Sequence, residues 1–576
     1  MSRDFDLLIR SGTVVDGTGG APRVADVAVL DGRIAAVGAV AGRATEEIDA
    51  RGLMVTPGFV DIHTHYDGQV TWEDCTAPSS NHGVTTAVMG NCGVGFAPCR
   101  PADRERLMRL MEGVEDIPEL VMSGGLPWNW ETFPEYLDVV GRQRRDIDVA
   151  AQLPHSCLRI YVMGERGARR EPATEADLKQ MTFLAQEAMT AGALGFATSR
   201  SVFHRDRDGM PIPTKDSAEA ELHAIAAGMK AAGHGVIEAL FDFSHLESEF
   251  DVLRRVSARS GRPVSFTVTQ TFEYIHEWKR ALALVADANR AGVKIKGQVI
   301  GRPTGMLLGL DLSFNPFSLH PTYQALAHLP LDQRIKQLRT SEVRARILSE
   351  GPADATYYML NFLKRYDRMF VLGDPPCYSP PLDTSIAALA AKRSVSPEEL
   401  VYDLLLEKDG HNILFLPIGN YAEGNMDATF AMLSDSHTLY GLGDGGAHYG
   451  CICDAGYPTY MLTYWTRDRV DGQRLGLSEV IKGLSRDPAL AVGLEDRGLV
   501  APGQKADLNI IDYDKLHLHA PHVAFDLPAN GRRLKQAADG YIATLVNGVV
   551  TYREGVYTGA REGRLVRGPQ KAAPPG

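Results

Sequence analysis

Long uninterrupted apolar runs are absent from this sequence of 576 residues. No stretch approaches the roughly 18 apolar residues that a membrane-spanning helix needs. The first residues, MSRDFDLLIRSGTVVDG, contain no apolar core of the kind found in a secretory signal peptide. We therefore predict a cytoplasmic protein with no membrane partner.

Cysteine and net positive charge are also scarce. The seven cysteines are an odd number and are scattered along the chain, which does not favour a disulfide framework and agrees with a reducing compartment. Lysine and arginine total 60 against 72 aspartates and glutamates, so the formal net charge is −12. This acidic balance argues against nucleic acid as a partner. We expect a small-molecule substrate, and leave open whether the chain forms a homo-oligomer.

The chain is long enough for a large barrel with a satellite domain. Apolar strands alternate with helical segments over most of its length, which is typical of βα units. Eight units of this kind predict a (β/α)8 TIM-like barrel, whose active site lies at the C-terminal ends of the strands. The candidate strands are Val55–His63, Gly83–Cys92, Asp148–His155, Ala193–Ser199, Gly235–Phe241, Pro263–Gln270, Val293–Ile300 and Leu439–Asp444.

Both ends of the chain show short strands and turns instead. Asp31-Gly32 is a strong hairpin signal near the start, and Asp507–Asp512 and Ile542–Asn547 are short apolar strands near the end. We therefore predict a small β-sandwich formed by both chain termini. The predicted division is 1–54 and 498–560 for the sandwich, 55–497 for the barrel, and 561–576 for a tail.

Two stretches inside the barrel are too long for single βα connections, namely residues 100–147 and 301–437. Long insertions at a barrel mouth are usually lids or substrate-binding elements. We expect the same of these two segments.

His63 and His65 carry the clearest chemical signal. They end the first predicted barrel strand, and residues two apart on a strand face the same side. Both imidazoles then point into one pocket, which is the arrangement that a divalent metal needs. A polar strand end can also carry two histidines without any metal, so the pair alone leaves both interpretations open.

Two longer motifs give the pair a context. PGFVDIHTH, residues 57–65, resembles the first-strand motif of the amidohydrolase superfamily, and GLVAPGQKADLNIID, residues 498–512, resembles the return of the chain to that family's β-sandwich. With GNCG at residues 90–93, the pattern is most similar to the N-acyl-D-amino-acid deacylases, or D-aminoacylases. The resemblance covers essentially the whole chain. It implies a metal-dependent hydrolase of carbon–nitrogen bonds other than peptide bonds.

The resemblance also implies roles for individual residues. Cys92 matches a metal ligand of the family, and Asp444 matches an aspartate that binds the metal and acts as the general base on the nucleophilic water. Zn²⁺ accepts thiolate, imidazole and carboxylate ligands, so we expect one or two zinc ions, with another divalent transition metal as the alternative. For His155, polarisation of the substrate and a purely structural role stay open. His448 binds substrate, supports the ligands or is structural.

The sequence departs from the family at two places. The family carries metal-binding histidines after the fifth and sixth strands, and neither strand contains one here. Glu238, a carboxylate in an apolar strand, is the candidate replacement, because buried carboxylates are rare unless they are paired or bound to metal; an ion pair with Arg302 or Lys296 is the alternative. The family's arginine for the substrate carboxylate is also missing, and Arg302 is the candidate substitute.

We conclude that the sequence predicts a metal-dependent amidohydrolase, with N-acyl-D-amino acids as the leading substrate class by resemblance. The predicted metal ligands are His63, His65, Cys92, Asp444 and Glu238. Two alternatives stay open: a hydrolase of cyclic amides (hydantoinase- or dihydroorotase-like) or of another carboxamide, and a catalytically inactive binding or scaffold barrel.

Overall fold

The computed structural model describes residues 4–355, 357 and 359–573. Its strands, in chain order, are β1 (Phe5–Val14), β2 (Arg23–Leu30), β3 (Arg33–Gly38), β4 (Ala44–Asp49), β5 (Met54–Pro57), β6 (Phe59–Asp61), β7 (Val84–Met89), β8 (Asp148–Pro154), β9 (Gly195–Ser199), β10 (Val236–Leu240), β11 (Val264–Thr267), β12 (Ile295–Val299), β13 (Thr304–Leu308), β14 (Phe370–Val371), β15 (Leu414–Gly419), β16 (Thr438–Tyr440), β17 (Leu508–Ile511), β18 (His517–Leu518), β19 (His522–Leu527), β20 (Gly531–Lys535), β21 (Ala538–Asp539), β22 (Tyr541–Val546), β23 (Val549–Arg553) and β24 (Val556–Tyr557). Its α-helices are α1 (Arg104–Glu115), α2 (Glu119–Gly125), α3 (Phe133–Arg142), α4 (His155–Met163), α5 (Glu165–Ala168), α6 (Glu175–Ala191), α7 (Glu219–Ala232), α8 (Leu246–Ser260), α9 (Glu277–Arg290), α10 (Pro321–Leu326), α11 (Leu331–Leu338), α12 (Ser341–Ser349), α13 (Leu360–Leu363), α14 (Ile386–Arg393), α15 (Pro397–Leu405), α16 (Asp427–Leu433), α17 (Tyr457–Tyr460), α18 (Leu477–Leu484) and α19 (Arg486–Ala491).

Eight strands form one parallel sheet in the order β16-β12-β11-β10-β9-β8-β7-β6. They coincide with the eight predicted strands, and helices such as α6, α7, α8 and α9 connect successive members. The expectation of a TIM-like α/β fold is therefore confirmed. Parallel strands bring their C-terminal ends to the same edge, which is where the functional residues of this architecture collect.

The first predicted strand is interrupted. Residues Met54–Pro57 pair with the terminal sheet, whereas Phe59–Asp61 pair with the barrel sheet. Gly58 lies between the two, and a Cβ at this position would lie 2.2 Å from the Thr85 Oγ1 atom. Glycine therefore allows the close approach at the point where the chain leaves one sheet for the other.

Strands from both ends of the chain form a second, largely antiparallel sheet. Its order is β24-β23-β22-β17-β5-β1-β2-β3, and β4 pairs with β1. The join between the two chain ends is the antiparallel pair β5–β17, in which Met54 lies opposite Ile511 and Pro57 opposite Leu508. Its own apolar cluster includes Ile9, Val27, Val55, Leu508 and Leu545. The expectation that both termini build one β-rich region is confirmed.

The two insertions fold as ordered elements. Residues 100–147 contain α1, α2 and α3, and residues 301–437 contain the antiparallel sheet β13-β15-β14 with helices α10 to α16. The second insertion has a hydrophobic cluster of its own, which includes Leu308, Leu338, Ile347 and Leu414. This internal core explains how so long a segment keeps a fixed shape beside the barrel.

The N-terminal end of the barrel is closed by buried ion pairs. Asp148, the first residue of β8, lies 2.7 Å from Arg497 and 2.7 Å from Lys505. The predicted tail follows the same end over its described residues, because Gly563 pairs with Arg145 and Val566 donates a backbone hydrogen bond to Val149. This segment is thus packed against β8 instead of fraying. None of the helices in the described part of the chain is long and apolar enough to cross a membrane.

Candidate metal centre and its cavity

His63, His65 and Cys92 lie together where the first two barrel strands end. One ligand atom from each lies within 4.8 Å of the other two, and His63 Nε2 is 3.3 Å from Cys92 Sγ. All three side chains are buried. The two histidines follow β6 directly, and the backbone carries them toward β16, since His65 N–H donates to the Gly445 carbonyl at 2.7 Å.

Cys92 occupies a strained turn after β7. Its backbone is left-handed, with φ of 53°, a conformation that non-glycine residues rarely adopt and that is concentrated at functional sites. Gly90, before it, has φ of 86°, and a Cβ there would lie 2.4 Å from the Gln152 carbonyl oxygen. The GNCG motif therefore forms a tight turn that directs the Cys92 thiol toward the histidines.

A hydrogen-bond chain fixes the His63 ring. Gln298 Nε2 donates to Ser265 Oγ at 2.9 Å, which leaves Gln298 Oε1 to accept from His63 Nδ1 at 3.0 Å. Since Nδ1 is then the protonated nitrogen, the lone pair of Nε2 faces Cys92. Orientation of this kind is typical of metal-binding histidines.

Asp444 approaches the two histidines from the eighth strand. Its Oδ1 lies 3.6 Å from His63 Nε2 and 3.5 Å from His65 Nε2. Burial alone would raise the pKa of Asp444, but the hydrogen bond with His65 and the electrostatic attraction of the neighbouring imidazole rings outweigh it and place the pKa below its usual range. An ionised carboxylate is thus held beside both imidazoles.

Glu238 lies beneath this cluster. Its Oε2 accepts the Cys92 backbone N–H at 3.2 Å, and its Oε1 lies 3.8 Å from His63 Nδ1. Neither predicted ion-pair partner reaches it, because Arg302 pairs with Asp454 and Lys296 Nζ donates to the Ser436 carbonyl. Burial raises the pKa of Glu238 to about 7. The carboxyl group touches two of the three clustered residues from behind and does not line the cavity that they face.

The structure adds a carboxylate that the sequence analysis missed. Glu115, the last residue of α1, is buried and places Oε2 3.5 Å from His65 Nε2 and 3.5 Å from His448 Nε2. Its Oε1 has no hydrogen-bond partner among the described residues. Burial raises the pKa of Glu115 well above its usual value, and nearby carboxylates add to this effect. A signal was present, because Glu115 lies on the same helical face as Leu107, Leu110, Met111 and Val114.

A cavity of about 250 Å³ opens in front of the cluster. Its polar lining includes His448 and His204, a second residue that the sequence analysis missed. Burial lowers the pKa of His448 to about 4 and that of His204 to about 3, so both rings are neutral. The apolar lining consists of Phe203, Leu240, Phe362, Ile418 and Leu442.

The remaining predicted site residues lie elsewhere. His155 is buried, with Nδ1 2.8 Å from Thr198 Oγ1 and Nε2 3.4 Å from Glu221 Oε2, and is not part of the cavity lining. Arg302 is also behind the lining, because its guanidinium pairs with Asp454 and lies 4.0 Å from the centre of the Tyr378 ring.

The model of the Amidohydrolase family matches residues 46–552, which spans the barrel, both insertions and strands β5, β17 and β22 of the terminal sheet. The chain belongs to this family. It is a metal-dependent hydrolase that acts on carbon–nitrogen bonds other than peptide bonds.

Individual relatives agree with this assignment. The amidohydrolase is 25% identical over 578 residues to the N-acyl-D-glutamate deacylase of Alcaligenes xylosoxydans xylosoxydans, which covers 98% of this chain and 97% of that one. Its fold matches that of a solved D-aminoacylase, an enzyme with a binuclear metal centre. The TM-score is 0.66 and the identity is 22%, over 98% of this chain and 100% of that chain. It also matches the N-acyl-D-glutamate deacylase of Bordetella bronchiseptica, solved with zinc and a phosphonate inhibitor, with a TM-score of 0.62 and 21% identity over 98% of this chain and 99% of that chain. These solved structures share the fold of this chain.

Proposed function

We propose that this amidohydrolase is a deacylase that cleaves the amide bond of a small N-acyl compound, with His63, His65, Cys92 and Asp444 as its central residues. The observation that carries the proposal is the convergence of two imidazoles, one thiol and one ionised carboxylate at the floor of a single cavity. The names of the relatives support N-acyl compounds as the substrate class.

The donor set fits a zinc ion. Imidazole nitrogen and thiolate sulfur are the ligands that Zn²⁺ takes most often in proteins. Burial raises the pKa of the Cys92 thiol well above its usual value, so a cation beside the sulfur is needed to hold it as thiolate. Buried Glu115 Oε1 and Glu238 Oε1 have no hydrogen-bond partner among the described residues, and a divalent cation would offset the concentration of carboxylates at this point.

We assign Glu115 to the ligand set and Glu238 to its support. Glu115 faces the cavity and lies 3.5 Å from His65 Nε2, the side on which the thiol and Asp444 also lie. Glu238 holds the Cys92 backbone N–H and the His63 ring from behind. The prediction that Glu238 itself binds the metal stays a prediction, and its position favours a positioning role.

A bound divalent cation polarises an amide carbonyl and acidifies water in such a site. Asp444, which is ionised and lies beside both histidines, accepts a proton from the attacking water as the water oxygen bonds to the carbonyl carbon. The same carboxyl group then delivers the proton to the nitrogen as the carbon–nitrogen bond breaks, so the products are a carboxylic acid and an amine. His448 and His204 are neutral rings on the cavity wall, and we assign to them N–H donation to the substrate.

The test is turnover beside metal content. Protein loaded with one or two equivalents of zinc is assayed by amine release from a panel of N-acetyl amides and N-acetyl-D-amino acids. Asp444→Asn is expected to keep its fold and lose about 10²–10⁴-fold in kcat, the range of general acid–base catalysis. If zinc-loaded protein releases no amine from any member of the panel and instead opens hydantoin rings, the deacylase proposal is wrong and cyclic amide hydrolysis takes its place.

Hydrolysis of a cyclic amide is the second candidate, and one observation favours it. No lysine or arginine is among the described residues that line the cavity, so a ring without a carboxylate fits as well as a linear amide. Four properties stay predictions: the cytoplasmic location, the absence of a nucleic-acid partner, the absence of a membrane partner, and the oligomeric state. All seven cysteines are unpaired, which supports a reducing compartment.

A further inference from the structure

We propose that the cavity selects an apolar amide without a carboxylate group. This inference rests on the proposed deacylase function and narrows its substrate class. It departs from the substrate in the names of two relatives, since an N-acyl-D-glutamate carries two carboxylates. Three features of the cavity support the inference: its apolar wall, the absence of lysine and arginine from its described lining, and the acidic groups at its surface.

The apolar wall includes two phenylalanine rings that contact each other at the cavity. Phe203 comes from the loop after β9, and Phe362 belongs to α13 in the long insertion. Their ring centroids lie 6.2 Å apart in an edge-to-face arrangement, and Phe203 is 50% exposed. Leu240, Ile418 and Leu442 continue the same lining. An exposed aromatic ring at a cavity wall favours the burial of an apolar group of the substrate.

Three arginines near the cavity each have a carboxylate partner, although two of them share one. Arg302 is separated from the space by Asp454, with which it pairs, and its NH2 group also donates to the Cys453 carbonyl at 2.7 Å. Arg365 and Arg368 stack on Phe272, each 5.3 Å from the ring centre.

Both of these arginines pair with Asp367, at 2.9 and 3.7 Å. A carboxylate in the cavity would therefore find no free guanidinium fork among the described lining residues.

The charges that do face the space are acidic. Asp454 lines the cavity, and its Oδ2 has no hydrogen-bond partner among the described residues. Glu273 lines it too and is exposed. An incoming carboxylate would meet the carboxylate of Glu273, while the charge of Arg302 is already engaged by Asp454. It would lose its hydration without gaining a counterion among the described lining residues, which disfavours it. A neutral amide with an apolar body meets neither cost.

The experiment compares two compounds that differ in the carboxylate alone: N-(2-phenylethyl)acetamide and N-acetylphenylalanine, the latter as separate D and L forms. With zinc-loaded protein we expect kcat/KM to be at least tenfold higher for the neutral amide than for either acid. An acid that matches or exceeds the neutral amide would overturn the inference.

Binding separates this inference from the proposed function. If zinc-loaded protein hydrolyses none of the three compounds and no member of the wider panel, the deacylase proposal fails, and calorimetric titration of the same three compounds then decides the inference. Tenfold tighter binding of the neutral amide supports it, and equal or tighter binding of an acid overturns it.

A charge reversal tests the acidic lining directly. Glu273→Lys places a cation at the cavity, and we expect the neutral-to-acid ratio of kcat/KM to fall by at least threefold. Glu175→Lys is the matched control. Glu175 is an exposed residue of α6 that pairs with Lys179, and its replacement changes the net charge by the same amount away from the cavity. A ratio that responds equally to both variants, or to neither, would contradict a selection by local charge.

Discussion

Replacing Glu115 by glutamine is the most informative perturbation of the centre, because it removes one charge and keeps the size of the side chain. A unit charge pair about 4 Å apart is worth about 4 kcal/mol at an effective dielectric constant of 20. Ionising Glu115, whose pKa burial raises, consumes part of this interaction free energy. With about half consumed, about 2 kcal/mol of attraction to the metal remains, which corresponds to roughly 30-fold in metal affinity. We therefore expect Glu115→Gln to weaken zinc binding about 30-fold.

The assay is competition between the protein and a chromophoric zinc chelator, with metal content after dialysis as a second readout. Glu105→Gln is the control, because Glu105 lies on the same helix and its side chain is exposed, paired with Arg109 at 3.0 Å. Circular dichroism establishes that both variants are folded. Zinc affinity of Glu115→Gln within threefold of the wild type would remove Glu115 from the ligand set.

Three further predictions follow from other residues. Cys92→Ser should weaken zinc binding at least tenfold, and zinc should protect Cys92 of the wild type from alkylation; alkylation at an unchanged rate would exclude the thiol as a ligand. Gly90→Ala forces a Cβ to within 2.4 Å of the Gln152 carbonyl oxygen at φ of 86°, so we expect about 1–3 kcal/mol lower stability together with lower zinc occupancy, measured by urea unfolding and metal analysis. Asp148→Asn removes one of the two carboxylates that Arg497 and Lys505 share, while Asp507 remains, and should cost about 2 kcal/mol of unfolding free energy. Burial opposes ionisation of Asp148, but the charges of Lys505 and Arg497 lower its pKa to about 2, so this stabilisation is present above pH 3.8 and is lost as the pH falls to about 2; an Asp148→Asn protein with the same acid unfolding curve as the wild type would contradict it.

The sequence was sufficient for the parallel sheet because its strands are fully buried and read as continuous apolar runs. Residues whose positions are set locally were also expected to lie together, and they do. His63 and His65 are two positions apart on the chain, and Cys92, proposed from the family resemblance, lies two residues after Gly90. The interruption at Gly58 was missed although Pro57-Gly58 is a typical break signal, because the mainly apolar residues on either side were interpreted as one strand.

Residues that depend on distant packing were not predictable in the same way. Glu115 lies 50 residues after His65 along the chain and reaches it only because α1 packs over the barrel mouth. The same holds for Arg302, whose role as a substrate anchor was inferred from its position after the seventh strand. Its partner Asp454 comes from the segment after the eighth strand, and no local pattern connects the two.

The pairing of β5 with β17 has a consequence for synthesis of the chain. The two strands lie about 450 residues apart, which at about 5–20 residues per second means roughly 20–90 seconds of translation. During this interval the amino-terminal strands have left the ribosome, while one edge of β5 has unpaired amide and carbonyl groups. Such an edge can pair with another chain, so we expect the nascent protein to be most exposed to aggregation until the segment that carries β17 has been synthesised.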